Sequence, residues 1–470
     1  MSDTTVAEHA ARAVPSAGDK LVRAIGLRDA VLLVLGSVIG SGIFLTTGVM
    51  AETVPSMPLL LLAWGAGGAL AIAGGLTYAE LGGMFPQSGG LYVFLREAYG
   101  PLWAFLFGWA GLLIILTGSI ATVAVGFAEY FSYFFPSLSM QVPVATLPMP
   151  WGPWTLFAGQ VVAAASIAIL AAINYVGVRL GNFVQALFTI LKVGALAAIP
   201  VMAIAMHPVV PSLTPIVPDV PRLPAAFGVA MIAVMWTYEG WYYVAFPSDE
   251  IRDPARTVPR ALVIGTILLT LIYMSVNVAY FYALPLSEIR GVVRIAEKAV
   301  TALMGPWGGA SVALAVAVST FGCNAAALLA VSRVFYAMAE DGRFFKAVGR
   351  IHPTYRTPHV AIVAAAVWSA FLTLTGSYEQ LFTYVTFASV LFFAFGGVAV
   401  FRLRAKLPAH PRPYRTWGYP LTPGLFVLGV CVLVVNTLVE RPGPSLIGLA
   451  IVAMGVPAFA YFGRVNRAAD

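Results

Sequence analysis

The sequence predicts an all-α integral membrane protein: twelve transmembrane helices, arranged as a five-plus-five inverted repeat, with helices 1 and 6 broken in mid-membrane. Three observations predict it. First, the chain of 470 residues is 60% hydrophobic and 10% charged, with a mean hydropathy of +0.87. A soluble domain carries about 25% charged residues, so these charges cannot cover a water-facing surface. Second, twelve apolar stretches are each long enough to cross a bilayer. Third, two of those stretches carry glycine-rich interruptions five spans apart. Five is odd, so the second half must run through the membrane in the opposite sense to the first.

The twelve stretches cover 29–54, 59–84, 101–135, 154–177, 181–206, 223–248, 259–284, 305–338, 358–376, 378–403, 421–439 and 445–463. The third and eighth are long, which predicts tilt or extension into water. Residues 1–26 are polar and lack the apolar core and cleavage site of a signal peptide; a disordered cytoplasmic tail is expected there. The first repeat is expected over 27–206 (spans 1–5) and the second over 207–404 (spans 6–10). Spans 11 and 12, over 405–465, fall outside the repeat, and 466–470 form a short cytoplasmic tail. Between spans 2 and 3, Gly89 to Tyr99 have the pattern of an amphipathic helix. Leu286 to Met304 mix charged and apolar residues at helical spacing, which predicts short helices on the outer surface. The remaining polar connections include the Pro-rich stretch 135–153 and the loop 404–420.

Basic residues set the orientation. Twenty-one of the 27 Arg and Lys residues fall on the side of the N-terminus and five on the opposite side. That bias predicts a multi-pass protein of the cell (plasma or inner) membrane with both termini cytoplasmic. The net charge of +7 therefore reflects topology, and no basic face with interleaved aromatics points to nucleic acid. Cys323 and Cys431 both lie in apolar stretches, and no two of His9, His207, His352, His359 and His410 stand at metal-ligand spacing. No metal or other cofactor is expected. No nucleophile–base pair and no phosphate loop is present, so the chain does not read as an enzyme.

The first interruption reads Gly36-Ser37-Val38-Ile39-Gly40-Ser41-Gly42-Ile43-Phe44. Unwound backbone at membrane depth survives only where it lines a cavity or touches a ligand. Gly40, Ser41 and Gly42 let a ligand approach bare N–H groups closely, and the following half-helix adds positive partial charge. That is a carboxylate site. The same glycines also suit a small-residue packing stripe.

The second interruption reads Trp236-Thr237-Tyr238-Glu239-Gly240-Trp241. Freed carbonyls at Trp236, Thr237 and Tyr238 suit an ammonium. Glu239 costs about 2.5–3.5 kcal/mol at mid-span and should face a cavity or a partner helix. There it attracts a cationic substrate or ties two helices together. Trp236 is a candidate lid or an ordinary core aromatic. Lys192 stands alone near the middle of span 5, roughly 18 Å from either interface. It must therefore meet a carbonyl, a carboxylate or water inside the bundle. A fixed ammonium there can replace a bound sodium ion, or it can be a structural tie. Asn324 and Ser332 in span 8 and Asn182 in span 5 are candidate interhelical hydrogen-bond formers. For Glu80, Asp249 and Glu250, ordinary solvated helix ends are expected over gate salt bridges.

In combination these motifs resemble the amino acid–polyamine–organocation superfamily over residues 27–463. The Gly40–Phe44 segment looks like its span 1. Tyr78 to Pro86, followed by Ser88 to Tyr92, looks like its span 2 exit. Trp236 to Trp241, Asp249 to Pro254, Val258 to Ala261 and Arg412-Pro413-Tyr414-Arg415 resemble its L-type amino acid transporter branch. The resemblance implies a LeuT-type fold that moves amino acids by alternating access. It implies that Gly40–Gly42 hold the substrate carboxylate, that the carbonyls from Trp236 to Glu239, ahead of Gly240, hold its amino group, and that Trp236 is the aromatic gate. Lys192 matches the lysine that fills the sodium position of sodium-independent members, and exchange is the usual activity of the branch. Animal members link a glycoprotein through a cysteine between spans 3 and 4. Residues 135–153 contain none, so no covalently linked glycoprotein subunit is expected. Tyr242 and Tyr243 stand where many relatives have asparagine and smaller residues, which leaves the substrate class open.

The function expected is thus sodium-independent amino-acid exchange. The alternatives are proton-coupled symport of amino acids or polyamines, with Glu239 or Lys192 as the proton-linked group, and a non-transporting amino-acid sensor.

Overall fold

The computed structural model describes residues 23–148, 150, 153–206, 209–375 and 378–468, the side chains at 178–185, 379 and 465–468 excepted. Most of the expected tail at 1–26, both His9 and His207, and the side chain of Asn182 lie outside the described residues.

Among the described residues the chain forms twelve apolar helices, two of them broken. Span 1 consists of Leu27–Val38 and Gly42–Thr53. Span 2 is Met57–Met84, span 3 Pro101–Phe131, span 4 Ala158–Val176 and span 5 Val178–Met206. Span 6 is Leu223–Thr237 followed by a 3₁₀ segment, Trp241–Ala245. Spans 7 to 12 are Pro254–Ala283, Pro306–Glu340, His359–Leu372, Tyr378–Lys406, Leu421–Glu440 and Pro442–Ala468. Eleven of the twelve are long and apolar enough to cross a membrane. Span 9 is shorter, at 14 residues, or about 21 Å, and is followed by turns over 373–375. The expected long span 8 runs for 35 residues, about 52 Å, so it projects well beyond the hydrocarbon layer. The expected amphipathic helix is present as Leu91–Tyr99, and the expected short helices as Leu286–Ile289 and Ile295–Met304.

The arrangement is LeuT-type. Span 1 forms the centre: 89% of its apolar window is buried, against 28% for span 11 and 17% for span 12 at the rim. Spans 5, 7 and 8 pack against its first half, and the first half of span 6 packs against its second.

Three local features were not anticipated. The connection between spans 3 and 4 contains a hairpin, β1 (Pro143–Leu147) against β2 (Trp154–Phe157). The β-branched and aromatic residues Val144, Thr146, Trp154, Thr155 and Phe157 suit an extended pair, and Thr146 and Thr155 hydroxyls meet across it at 3.1 Å. Span 4 therefore starts at Ala158 rather than 154, with the Gln160 side chain accepting from Phe157 N–H at 3.0 Å. Span 3 contains a π-turn, Gly111–Ile115. The second half of span 6 is 3₁₀ rather than α-helical.

Candidate functional site

The two interruptions meet at the centre of the bundle. Gly42 lies against Thr237: a Cβ at position 42 would stand 2.5 Å from Thr237 Oγ1. Gly240 has φ +102°, and a Cβ there would stand 2.9 Å from the Ser37 carbonyl. Only glycine combines that backbone with so close an approach. The glycines thus let the two broken backbones touch. Tyr273 of span 7 braces the junction, its hydroxyl lying 3.1 Å from Val38 O and 3.2 Å from Thr237 O.

A narrow cavity of about 20 Å³ lies at this junction. Its walls include Gly40, Ser41, Gly42, Trp236, Thr237, Glu239 and Gly240, with Ser119 and Val123 from span 3 and Cys323 from span 8. It has room for about one water, so side chains must shift to admit a larger ligand. The half-helix beginning at Gly42 leaves the N–H groups of Gly42 and Ile43 without intrahelical acceptors, whereas Phe44 N–H donates to Ser41 O at 3.1 Å. The former are available to an anion at the cavity wall.

The sequence-predicted residues do not all face this cavity. Tyr238 turns away: its hydroxyl donates to Trp64 O at 3.3 Å and its ring packs on Tyr273. Its side chain is therefore excluded from the cavity wall. Two of the carbonyls expected to be free already receive a hydrogen bond, Trp236 O from Glu239 N–H and Thr237 O from Tyr273. Each retains a second lone pair.

Lys192 sits behind span 1. Its ammonium donates to Gly36 O at 2.7 Å and Ile39 O at 2.6 Å. Ser319 donates to the same Ile39 carbonyl at 3.3 Å, and Cys323 Sγ to Ser37 O at 3.1 Å. The carbonyls released by the first break are thus collected by one buried cation and two span 8 side chains.

Glu239 is buried beside the cavity. Tyr242 and Ser389 donate to its Oε1 at 2.9 and 3.3 Å, whereas Oε2 has no hydrogen-bond partner among the described residues. Trp236 is covered by span 10. Its indole N–H donates to Tyr378 Oη at 3.0 Å, the same hydroxyl lies 3.0 Å from Ser41 Oγ, and its ring stacks on Phe382. Beyond Phe382 lies a second pocket, of about 50 Å³, lined by Met50, Ala233 and Arg441. Nothing in the sequence singles out Tyr378, which stands at the edge of an apolar stretch. Ser119 and Val123 carry a weak one, being four residues apart on one helix face.

The solvated helix ends expected at Glu80 and Glu250 are overturned, because both side chains are fully buried. Arg404 clamps Glu80 through two bonds of 2.8 and 2.7 Å, and Thr416 N–H donates at 2.8 Å. Arg333 of span 8 clamps Glu250 in the same forked way. A bare buried carboxylate is prohibitively costly, so each acquires a guanidinium partner. Asp249 and Ser88 exchange backbone–side-chain bonds of 3.2 Å. Ser332 bonds to Leu329 O of its own helix, so it is not an interhelical bond former in this way; Asn324 Oδ1 has no partner among the described residues.

A family model described as Amino acid permease matches residues 25–459. The Serine/threonine exchanger SteT of Bacillus subtilis (strain 168) is 31% identical over 458 residues, covering 96% of this chain and 98% of its own. The Cystine/glutamate transporter of Homo sapiens is 29% identical over 468 residues, covering 96% and 89%. The b(0,+)-type amino acid transporter 1 of Mus musculus is 30% identical over 393 residues, covering 82% and 77%. The match runs from the start of span 1 into span 12 and includes both unwound segments. The chain therefore belongs to the amino acid permease family, within the amino acid–polyamine–organocation superfamily, and is a membrane transporter rather than an enzyme.

Proposed function

We propose that this permease exchanges one amino acid for another across the cell membrane by alternating access, without sodium. The observation that carries the reading is Lys192. Its ammonium occupies the carbonyl cluster left by the break in span 1, where a bound cation would otherwise be needed to offset those dipoles. A covalently attached cation cannot dissociate with the substrate, so it transmits no ion gradient. The name of the serine/threonine exchanger relative supports the same activity.

In this reading the Gly40–Gly42 turn holds the substrate carboxylate through the N–H groups of Ser41 and Gly42, since Gly40 N–H already donates to Val38 O at 2.7 Å. The carbonyls from Trp236 to Glu239 hold its ammonium, and Gly240 permits the turn. Trp236, fixed by Tyr378 and Phe382, closes the outer side. Glu80–Arg404 and Glu250–Arg333 close the side carrying both termini, which the basic-residue bias assigns to the cytoplasm. Glu239 Oε2 faces the substrate side chain, favouring cationic or hydrogen-bond-donating side chains over acidic ones. No covalently linked glycoprotein subunit is required, since Cys323 and Cys431 both lie within spans.

The unpartnered oxygen of Glu239 also favours a second reading, proton-coupled symport. Uptake of labelled amino acid into proteoliposomes separates the two. Exchange requires unlabelled amino acid inside and is indifferent to replacing sodium with choline or to a pH gradient. Uptake into empty vesicles driven by external acid would replace exchange with symport. Binding without flux would support a sensor.

A further inference from the structure

A third, larger cavity lies away from the substrate path. It occupies about 670 Å³ between the π-turn of span 3, the end of span 8, span 9 and span 12. That volume lies within the roughly 300–1,000 Å³ typical of small-molecule sites. We propose that it holds an acyl chain of an anionic phospholipid, with the headgroup meeting the basic loop that follows span 8.

The walls call for hydrocarbon. They are apolar and aromatic throughout, and the two indole N–H groups among them are already committed. Trp109 donates to Ile451 O and Trp368 to Leu113 O, each at 3.2 Å. Water needs two to four polar partners and finds few here. Tyr461 and Phe345 among its walls are 60% and 57% exposed, so the cavity opens to the surface of the bundle beside them.

The wall shape is held in place. Leu113 lies within the π-turn, and its carbonyl is the one that Trp368 captures. Thr117 Oγ1 donates to Leu112 O at 2.6 Å, securing the same widened turn. Such turns often mark functional sites.

Charge selects the headgroup. Phe344, Phe345 and Val348 line the cavity, and Arg343, Lys346 and Arg350 alternate with them in the sequence. Arg343 stacks over Phe459 of span 12 at 4.9 Å, and Arg464 follows the lining residue Phe462 by two positions. The acidic residues nearby are Glu340 and Asp341. Asp341 is already paired, both its oxygens contacting Arg96 Nη1 at 2.7 and 2.6 Å. Basic pockets between transmembrane helices are recognised binding places for anionic headgroups. Leu113 stands six residues, about 9 Å, before Ser119 of the substrate cavity, so an occupant bears on the helix that carries part of that wall.

The test uses the full chain in phosphatidylethanolamine vesicles with and without phosphatidylglycerol. Native mass spectrometry after release counts retained lipid. Wild type is expected to retain one phosphatidylglycerol, with about tenfold preference over phosphatidylethanolamine. The surface variant Lys346→Gln/Arg350→Gln should retain lipid but lose the preference. Ala458→Phe, which fills the cavity, should lose retention while staying monodisperse. Equal retention of both lipids by wild type would overturn the headgroup assignment. Retention unchanged by Ala458→Phe, or a dimer that covers this face, would overturn the site.

Discussion

Gly42 of span 1 rests directly on Thr237 of span 6, with no room for a Cβ between them: one added there would lie 2.5 Å from the hydroxyl and 2.9 Å from Thr237 Cα. Because the backbone itself is in the way, no rotamer change relieves the clash. Gly42→Ala should separate the two broken helices and lower transport about tenfold or more, by overpacking. Gly424→Ala, where a Cβ meets nothing within 4 Å, is the control and should transport normally. Initial uptake rates of the two variants, at matched protein content, check this.

Tyr378 joins both interruptions through one hydroxyl, shared by Ser41 and Trp236. Tyr378→Phe keeps the ring and removes the bridge. Loss of a buried hydrogen bond costs about 0.5–1.5 kcal/mol, so KM should rise roughly two- to thirteenfold. A KM at the wild-type value would remove Tyr378 from the site.

The Arg333–Glu250 pair is 1% and 0% exposed. Arg333→Ala should destabilise the protein by about 3–5 kcal/mol, because it strands a buried carboxylate. The paired replacement Arg333→Met with Glu250→Leu should recover most of that loss. Thermal unfolding in detergent reads both, and equal melting of the single variant and wild type would contradict the buried-pair account.

Glu239→Gln should change the ranking of substrates, raising uptake of neutral or acidic amino acids relative to cationic ones. Competition of unlabelled amino acids against one labelled substrate measures the ranking. An unchanged ranking would make Glu239 a structural tie to Tyr242 and Ser389 only.

Much of this was legible in the chain because the membrane is an unforgiving solvent. Glycine runs and a lone lysine at mid-span each demand a partner, so Gly40–Gly42, Gly240 and Lys192 declare themselves. Their partners do not. Tyr378, Tyr273 and Ser319 look like ordinary residues of apolar helices until folding brings them to particular carbonyls. Glu80 and Glu250 sit at helix ends, where water is the default partner. Only the distant Arg404 and Arg333 reveal that both are buried. The direction of Tyr238 is likewise a tertiary outcome, decided by Trp64 and Tyr273. One carbonyl of the π-turn of span 3 is taken by Trp368, 255 residues away in the chain.

The most direct test of the central claim is transport by Lys192→Ala in proteoliposomes. Removing the ammonium leaves the Gly36 and Ile39 carbonyls without their cation. The account predicts a monodisperse protein whose exchange falls to near background, with sodium in the buffer making no difference to the wild type. Wild-type exchange by Lys192→Ala, or wild-type exchange that depends on sodium, would contradict it.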